Sequence, residues 1–336
     1  MLDSIVKWCT SAVRSFFSMF ARHAGRKLTF HQFGAQVELK KTVLGEGGFS
    51  TVYEATDPNG VEYAVKKVLV QSEELQRMVR TEIKASRQLD HPNIVCMIDW
   101  FETRNERNLQ VFFLLFPLMK KGTLRDEINA DLKADPLRES KDVARVIKGF
   151  QMVLEALHYM HTYQPKYVHQ DIKPENVLIS DDGGAKLADL GSVREADVHI
   201  DTRAKALQVA EQAAQSSTMP YRALELFDPP TGAHLDTRTD VWGAGCLLYT
   251  WWFGYSPFEM EFDATGRAKV VECSQSRVLA KLPRPPKPSA NDLFILDLAE
   301  FMLVHDFLLR PFALDVLHRL QQVQVKDNVA SMGSAV

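Results

Sequence analysis

The most constraining feature of this sequence is a short central segment, HQDIKPEN at 169–176. Asp171, Lys173 and Asn176 place a carboxylate, an ammonium and an amide within six residues. The carboxylate can accept a proton from a hydroxyl, the ammonium can offset charge on a transferred group, and the amide oxygen can bind a hard cation. Asp189 adds a second carboxylate 18 residues after Asp171. Two separated oxygen ligands suit Mg²⁺, so the segment predicts acid–base chemistry beside a hard cation.

A glycine-rich stretch near the start of the chain follows a strand-like pattern and reads GEGGFSTV. Its first six residues are Gly45, Glu46, Gly47, Gly48, Phe49 and Ser50. Glycine lets a backbone approach phosphates closely and point N–H groups at them. The stretch is not a Walker A loop, because no GK[ST] follows it. By itself it fits either a phosphate-binding loop or a hairpin turn without a ligand.

A lysine lies inside the next apolar strand pattern, in the run YAVK that ends at Lys66. A charged group in such a strand is costly unless an anion meets it. A phosphate and the carboxylate of Glu82, on a helical pattern over 72–89, are the candidate anions. The alternative is a solvated surface lysine.

Composition limits the class of protein. The chain has 336 residues, 46% hydrophobic and 25% charged, which is ordinary for a globular protein and excludes a disordered, collagen-like or coiled-coil chain. The formal net charge of −3 disfavours a protein that binds nucleic acid by neutralising phosphates, so we expect no nucleic-acid partner. Four cysteines without a CxxC pair indicate reduced thiols in a cytoplasmic compartment.

The order of the patterns predicts an α+β chain of two lobes. Strand-like patterns run from 37 to about 69, and Val111–Met119 has the pattern of a buried strand. Helical patterns dominate after Gly122, over 141–162, 238–253 and 291–304. The uncharged stretch 241–258 could suggest a membrane span, but its strictly apolar part is 13 residues long. That length favours a buried core helix.

Taken in order, these motifs resemble the signature of the eukaryotic protein kinases, over about residues 37–322. Four stretches resemble the Numb-associated kinase family, and most of all its myristoylated and palmitoylated serine/threonine kinase branch: GEGGFS at 45–50, DLGS at 189–192, TMPYRALELF at 218–227 and TRTDVW at 237–242. The resemblance implies a bilobal fold. The expected N-lobe, 37–119, is β-rich with one main helix; the C-lobe, 120–322, is larger and α-helical; 323–336 would be a flexible tail.

The resemblance implies that the γ-phosphate of Mg²⁺-bound ATP is transferred to protein hydroxyls. Asp171 would be the catalytic base and Lys173 the γ-phosphate contact. Asn176 and Asp189 would be the Mg²⁺ ligands. Thr218, together with Lys173, would support the base and favour serine or threonine as the acceptor.

The resemblance also assigns the nucleotide contacts. The glycine-rich stretch would cover the phosphates, and Lys66 would hold the α- and β-phosphates while it pairs with Glu82. Adenine would meet the gatekeeper Phe116, backbone groups of Pro117 and Met119, and the side chains of Val52, Ala64 and Leu178.

Four positions depart from the kinase pattern: Ser50 replaces the third loop glycine, Leu190 the central residue of DFG, Leu224 the proline of APE, and Gln170 an arginine. Most kinases use that arginine to bind an activation-loop phosphate, which glutamine cannot do. We therefore expect activity that does not depend on phosphorylation of the activation segment.

The segment from Asp189 to Glu225 is long, and 202–214 within it has high helix propensity. We expect a helix there that orders the segment without a phosphate; a flexible lid is the alternative. The resemblance also implies a buried ion pair between Glu225 and Arg310 at the end of this segment.

The first 37 residues hold five Lys/Arg and one acid, with apolar residues at helical spacing. A glycine at position 2, which N-myristoylation requires, is absent. We expect residues 1–28 to bind a membrane surface, with Cys9 as a candidate for palmitoylation, on a Golgi-like endomembrane. A mitochondrial presequence and a helix packed on the kinase core are the alternatives.

The leading functional hypothesis is an active serine/threonine protein kinase. A pseudokinase scaffold would explain Gln170 and Leu224, but it predicts decay at Lys66, Asp171 or Asp189, and all three are present. A small-molecule kinase of related fold is the third hypothesis. Lys173, Thr218 and the APE-like element argue against it, because such elements form the surface that binds a peptide substrate.

Overall fold

The computed structural model describes residues 25–322 and divides this part of the chain into two compact units. The first unit runs to Gln88 and adds Val95–Leu118, and the second consists of Leu89–Ile94 and the residues from Met119 onward. The helix expected near the N-terminus lies largely in 1–24, and the expected flexible tail is 323–336; both lie outside the described residues.

In its described residues, from 25 onward, the first unit is a six-stranded sheet with one helix. All of its strand pairs are antiparallel, in the order β1-β2-β3-β4-β6-β5. The strands are β1 (Lys27–Phe30), β2 (Ala35–Glu46), β3 (Ser50–Thr56), β4 (Glu62–Leu69), β5 (Asp99–Arg104) and β6 (Gln110–Pro117). Helix α1 (Glu73–Gln88) follows β4 and matches the helix predicted over 72–89.

The sheet begins earlier than the sequence analysis placed the N-lobe. Lys27 pairs with Glu38 and Phe30 with Ala35. Strands β1 and β2 therefore form a hairpin that starts at Lys27, ten residues before position 37. Leu28 and Phe30 are buried, while their neighbours in β1 are exposed. The sequence analysis began the strand-like patterns at 37 and grouped the residues before it with the basic N-terminal segment, but the alternation at 27–30 belongs to the sheet.

The second unit is mainly helical. Its helices are α2 (Leu124–Ala134), α3 (Val143–Thr162), α4 (Arg203–Ser216), α5 (Arg238–Phe253), the short α6 (Gln275–Val278), α7 (Ala290–Met302) and α8 over 313–322. Up to residue 322, where its description ends, the strands of this unit form four short antiparallel pairs: β7 (Tyr167–Val168) with β10 (Arg194–Glu195), β8 (Val177–Ile179) with β9 (Ala185–Leu187), β11 (Val198–His199) with β12 (His234–Leu235), and β13 (Met260–Phe262) with β14 (Ala268–Val270). A sheet-based unit and a helical unit together confirm the predicted α+β class.

Helix α5 is the core of the second unit. Every residue from Thr239 to Phe253 is buried, which agrees with the buried core helix predicted from the sequence. Within residues 25–322, none of the helices combines the length and the apolar composition that crossing a membrane requires.

Helix α4 confirms the helix predicted over 202–214. Thr202 caps its start, because the Thr202 side chain accepts a hydrogen bond from the Lys205 N–H at 3.2 Å. Ala206, Val209 and Ala213 are buried and recur at helical spacing, so one face of α4 packs against the protein. The segment that carries α4 is therefore a packed element of the second unit.

Candidate active site

The loop after β7 is held in place by one buried carboxylate at the start of α5. Asp240 accepts hydrogen bonds from the N–H groups of His169 and Gln170 at 2.7 and 2.8 Å, and it lies 3.0 Å from His161 Nε2. Burial alone would raise the pKa of Asp240, but the hydrogen bonds and charges of His161 and His169 outweigh it and hold that pKa below its usual value. The loop that carries Asp171 is thus fixed to the core helix.

Asp171 is the centre of a tight polar cluster. Its Oδ1 accepts hydrogen bonds from the N–H and the hydroxyl of Thr218 at 2.9 and 2.8 Å. Its Oδ2 accepts one from Asn176 Nδ2 at 3.0 Å and lies 2.6 Å from Lys173 Nζ. Lys173 Nζ also donates to Thr218 Oγ1 at 2.8 Å. The structure therefore brings together Asp171, Lys173, Asn176 and Thr218, which the sequence spreads over 48 positions.

Asp189 follows β9, and the backbone of its neighbour Ala188 is attached to the same cluster. The N–H of Ala188 donates to the Asn176 carbonyl at 2.8 Å, and His169 Nε2 lies 3.0 Å from the Ala188 carbonyl oxygen. Asp189 itself has φ = 57°, a left-handed conformation, and its Oδ1 accepts from the Gly191 N–H at 3.2 Å. Aspartate is among the residues that tolerate this conformation, because its side chain can bond locally. Asp189 as a residue is exposed.

In the first unit, Lys66 and Glu82 form the ion pair that the sequence suggested. Lys66 Nζ lies 2.6 Å from Glu82 Oε1, and their side chains are 12% and 3% exposed. Lys66 lies opposite Val52 on β3 and Leu114 on β6. An apolar strand and helix α1 therefore present an ammonium and a carboxylate to each other, which excludes the solvated surface lysine.

Three of the residues expected around adenine, Val52, Ala64 and Phe116, share one face of the sheet. Ala64 is two residues before Lys66 on β4 and lies opposite Phe116 on β6. Phe116 is half-buried and packs against the apolar cluster beneath α1. Pro117 ends β6 opposite Tyr63. Met119 and Leu178 belong to the second unit, so their approach to the same ligand stays a prediction.

The glycine-rich stretch is the hairpin between β2 and β3. The Gly47 N–H donates to the Ser50 carbonyl at 2.8 Å, and Phe49 is 57% exposed. A Cβ built on Gly45 or Gly48 would meet nothing within 4 Å. Packing within the protein therefore gives no reason for glycine at these two positions, and their backbone is left uncovered. A phosphate chain approaching the hairpin would give such a reason.

The ion pair expected between Glu225 and Arg310 is confirmed. The Arg310 guanidinium contacts both carboxylate oxygens of Glu225, at 2.7 and 2.9 Å. It also donates to the carbonyl oxygens of Val304 and Arg238. The side chains are 0% and 2% exposed, so this pair is part of the core.

Sequence reasoning assigned no role to two residues that organise this site. Asp240 was part of the stretch TRTDVW that supported the resemblance but was given no role, although a lone carboxylate at the start of a core helix is a usable signal. Arg125 was missed altogether. It donates to Glu175, to the Tyr221 hydroxyl and to the Gly254 carbonyl at 2.9, 3.0 and 2.9 Å. Arg125 thus connects α2 to the turn that follows Thr218.

The glycine-rich hairpin, the strand lysine with its helix glutamate, and the Asp171 cluster are the parts of a protein kinase. The protein kinase domain model matches residues 39–320, and the chain belongs to this family. The fold and the enzyme class expected from the sequence are thereby confirmed.

Three relatives are examples of the kinases to which the chain is similar. It is 33% identical to mouse (Mus musculus) serine/threonine-protein kinase 16 over 286 residues, which covers 84% of this chain and 88% of that protein. The human (Homo sapiens) protein of the same name is 32% identical, with the same coverage. Serine/threonine-protein kinase ENV7 of Saccharomyces cerevisiae is 25% identical over 84% of this chain and 90% of that protein.

Proposed function

We propose that this protein transfers the γ-phosphate of Mg²⁺-bound ATP to serine or threonine hydroxyls of protein substrates. The observation that carries the proposal is the Asp171 cluster, in which Thr218 Oγ1 donates to Asp171 and accepts from Lys173. Serine/threonine kinases keep a threonine and a lysine at these two positions, and the relatives named above are serine/threonine kinases.

The residues present fit both cofactors. The uncovered backbone of Gly45 and Gly48 suits a phosphate chain, and Lys66, held by Glu82, supplies a fixed positive charge. The Asn176 amide nitrogen is turned to Asp171, so a cation would use the amide oxygen together with the Asp189 carboxylate. When bound, Mg²⁺-ATP supplies the transferred phosphoryl group and neutralises part of its charge.

The protein's own part in the reaction is positioning and proton transfer. Asp171 would accept the proton of the substrate hydroxyl, and its two oxygens are oriented by Thr218 and Asn176. Lys173 would stabilise negative charge beside Asp171. Because Asp240 fixes the backbone of this loop, the base is held in one geometry before substrate binds.

Asp171→Asn tests this assignment. The amide keeps the shape of the side chain but removes the proton acceptor, so we expect phosphate transfer to a protein substrate to fall by roughly 100-fold or more. Transfer is measured with γ-labelled ATP, and thermal unfolding of both proteins shows that the fold is kept. Equal incorporation by wild type and variant would reject Asp171 as the base.

We infer that activity does not require a phosphate on the activation segment. Gln170 lies where most kinases have an arginine, and its Oε1 is buried without a hydrogen-bond partner among the described residues. The cap of helix α4 and the Thr218–Asp171 contacts are hydrogen bonds between groups of the chain itself. We expect phosphatase treatment to leave transfer unchanged. A large loss traced to a site between Ser192 and Met219 would contradict this.

We place the chain, as a proposal, in the Numb-associated kinase family and on a Golgi-like endomembrane surface. The motifs quoted above support the family, and the basic, amphipathic residues 1–24 support the membrane. Since Leu28 is buried in β1, a truncation that tests this must stop at residue 24. We expect co-sedimentation with anionic liposomes to be lost without residues 1–24. Equal binding of both proteins would end the membrane proposal.

A further inference from the structure

The end of helix α4 is held by an arginine from a distant strand. Arg194 Nη2 donates to Ser216 Oγ at 2.8 Å, and Nη1 donates to Gln212 Oε1 at 3.4 Å. Ser216 Oγ donates in turn to the Gln212 carbonyl at 2.8 Å. Ser216 is 7% exposed, so its hydroxyl is engaged inside the protein. The guanidinium thus meets a buried hydroxyl at the last residue of α4.

The backbone of Arg194 is fixed to the strand that leads into the catalytic loop. Arg194 on β10 pairs with Val168 on β7, and His169 is the next residue after Val168. The Arg194 side chain therefore joins two parts of the second unit: the β7–β10 pair beside the Asp171 loop, and the C-terminal end of α4.

The two residues after Ser216 carry this constraint to the base. Ser217 Oγ donates to the Ala213 carbonyl at 2.6 Å and accepts from Arg222 Nε at 2.8 Å. Thr218 then gives both its N–H and its hydroxyl to Asp171 Oδ1. Because only one residue separates Ser216 from Thr218, a shift of the helix end would move the Thr218 donors away from Asp171.

We propose that Arg194 is a positioning residue for phosphate transfer: by holding Ser216 it sets Thr218 against Asp171. The inference rests on the kinase activity proposed above and names the group that orders the activation segment.

The test compares Arg194→Met, Ser216→Ala and the double variant in phosphatase-treated protein. The matched control is Arg203→Met, which removes an exposed ion pair with Asp228 at the opposite end of the same helix. We expect kcat to fall about tenfold in Arg194→Met and Ser216→Ala, with KM for ATP within about twofold of wild type. The double variant should lose little more than Arg194→Met, because the contact between Arg194 and Ser216 is already broken in that single variant. Arg194→Lys should recover part of kcat, and Arg203→Met should keep it.

Amide hydrogen exchange at Thr218 gives a readout that does not depend on activity. We expect faster exchange at this amide in Arg194→Met and unchanged exchange in Arg203→Met. An unchanged kcat in Arg194→Met, multiplied losses in the double variant, or unchanged exchange at Thr218 would each overturn the role of Arg194. A wild-type protein without any transfer would instead reject the proposed function, and the exchange experiment would still decide the contact.

Discussion

Two ion pairs in this protein differ in how completely they are buried and hydrogen-bonded. Arg310 and Glu225 meet through both oxygens of the carboxylate, two backbone carbonyls fill further donors of the guanidinium, and the side chains are 0% and 2% exposed. Lys66 and Glu82 meet at 2.6 Å, and Lys66 keeps 12% of its side chain exposed. The arginine pair is fully buried in the second unit, whereas the lysine pair leaves Lys66 partly accessible on one face of the sheet.

The difference follows from the chemistry of the two cations. A guanidinium is planar and matches a carboxylate with two parallel hydrogen bonds, so it suits a permanent contact. An ammonium is a compact charge with three rotatable donors, so it can hold a carboxylate and still turn a donor to a ligand. We infer that the arginine pair serves stability and that the lysine pair serves the nucleotide.

The largest stability effect is expected at the arginine pair. Arg310→Met leaves the Glu225 carboxylate buried without its counter-charge, and we expect the free energy of unfolding to fall by about 3–5 kcal/mol. Urea unfolding at neutral pH measures this loss.

Arg284→Met is the control for that prediction. It removes an ion pair with Glu300 whose side chains are 48% and 47% exposed, and such surface pairs contribute about 0–1 kcal/mol. Similar losses in the two variants would show that the sealed geometry of the Arg310 pair contributes nothing specific.

A smaller stability effect, joined to a larger loss of function, is expected at the lysine pair. Glu82→Gln keeps a hydrogen-bond acceptor beside Lys66 but removes the charge, and we expect it to cost about 1–2 kcal/mol of unfolding free energy. Phosphate transfer should fall by roughly 10–100-fold, because Lys66 is no longer held toward the phosphates.

Glu62→Gln on β4 is the matched variant, since Glu62 pairs with the partly exposed Lys40 at 3.1 Å. We expect it to leave transfer and unfolding nearly unchanged. The opposite result would be a Glu82→Gln protein that is destabilised as much as Arg310→Met but keeps its transfer rate. That result would contradict the inference that the lysine pair serves the nucleotide.

Much of the fold was predictable because long elements carry their own periodicity. Helices α1, α3, α5 and α7 lie close to the predicted ranges, and α4 was expected from its alanine-rich run. Strand β1 was missed, because an alternation over only four residues does not stand out from the basic apolar segment beside it. The two-residue strands β7 and β10 have no periodicity at all, although their pairing places Arg194.

The candidate site divides in the same way. Asp171, Lys173 and Asn176 stand within six residues, so their spacing alone indicated a shared site. The contact between Arg194 and Ser216 spans 22 positions, and the contacts of Asp240 with His169 and Gln170 span 71 and 70. The spacing of such residues does not identify them as partners, because the chain between two distant residues can form many different loops.

By itself, the sequence determined the family through the order and spacing of its motifs, and the main helices through their periodicity. It also indicated which groups could take part in phosphate transfer. All three depend on local sequence. Tertiary structure alone decided which polar groups are held and by what: Asp240 fixes the base-carrying loop, and Arg194 meets Ser216. The physical reason is that a hydrogen bond needs its two atoms within about 3 Å, and only the folded chain brings distant residues that close.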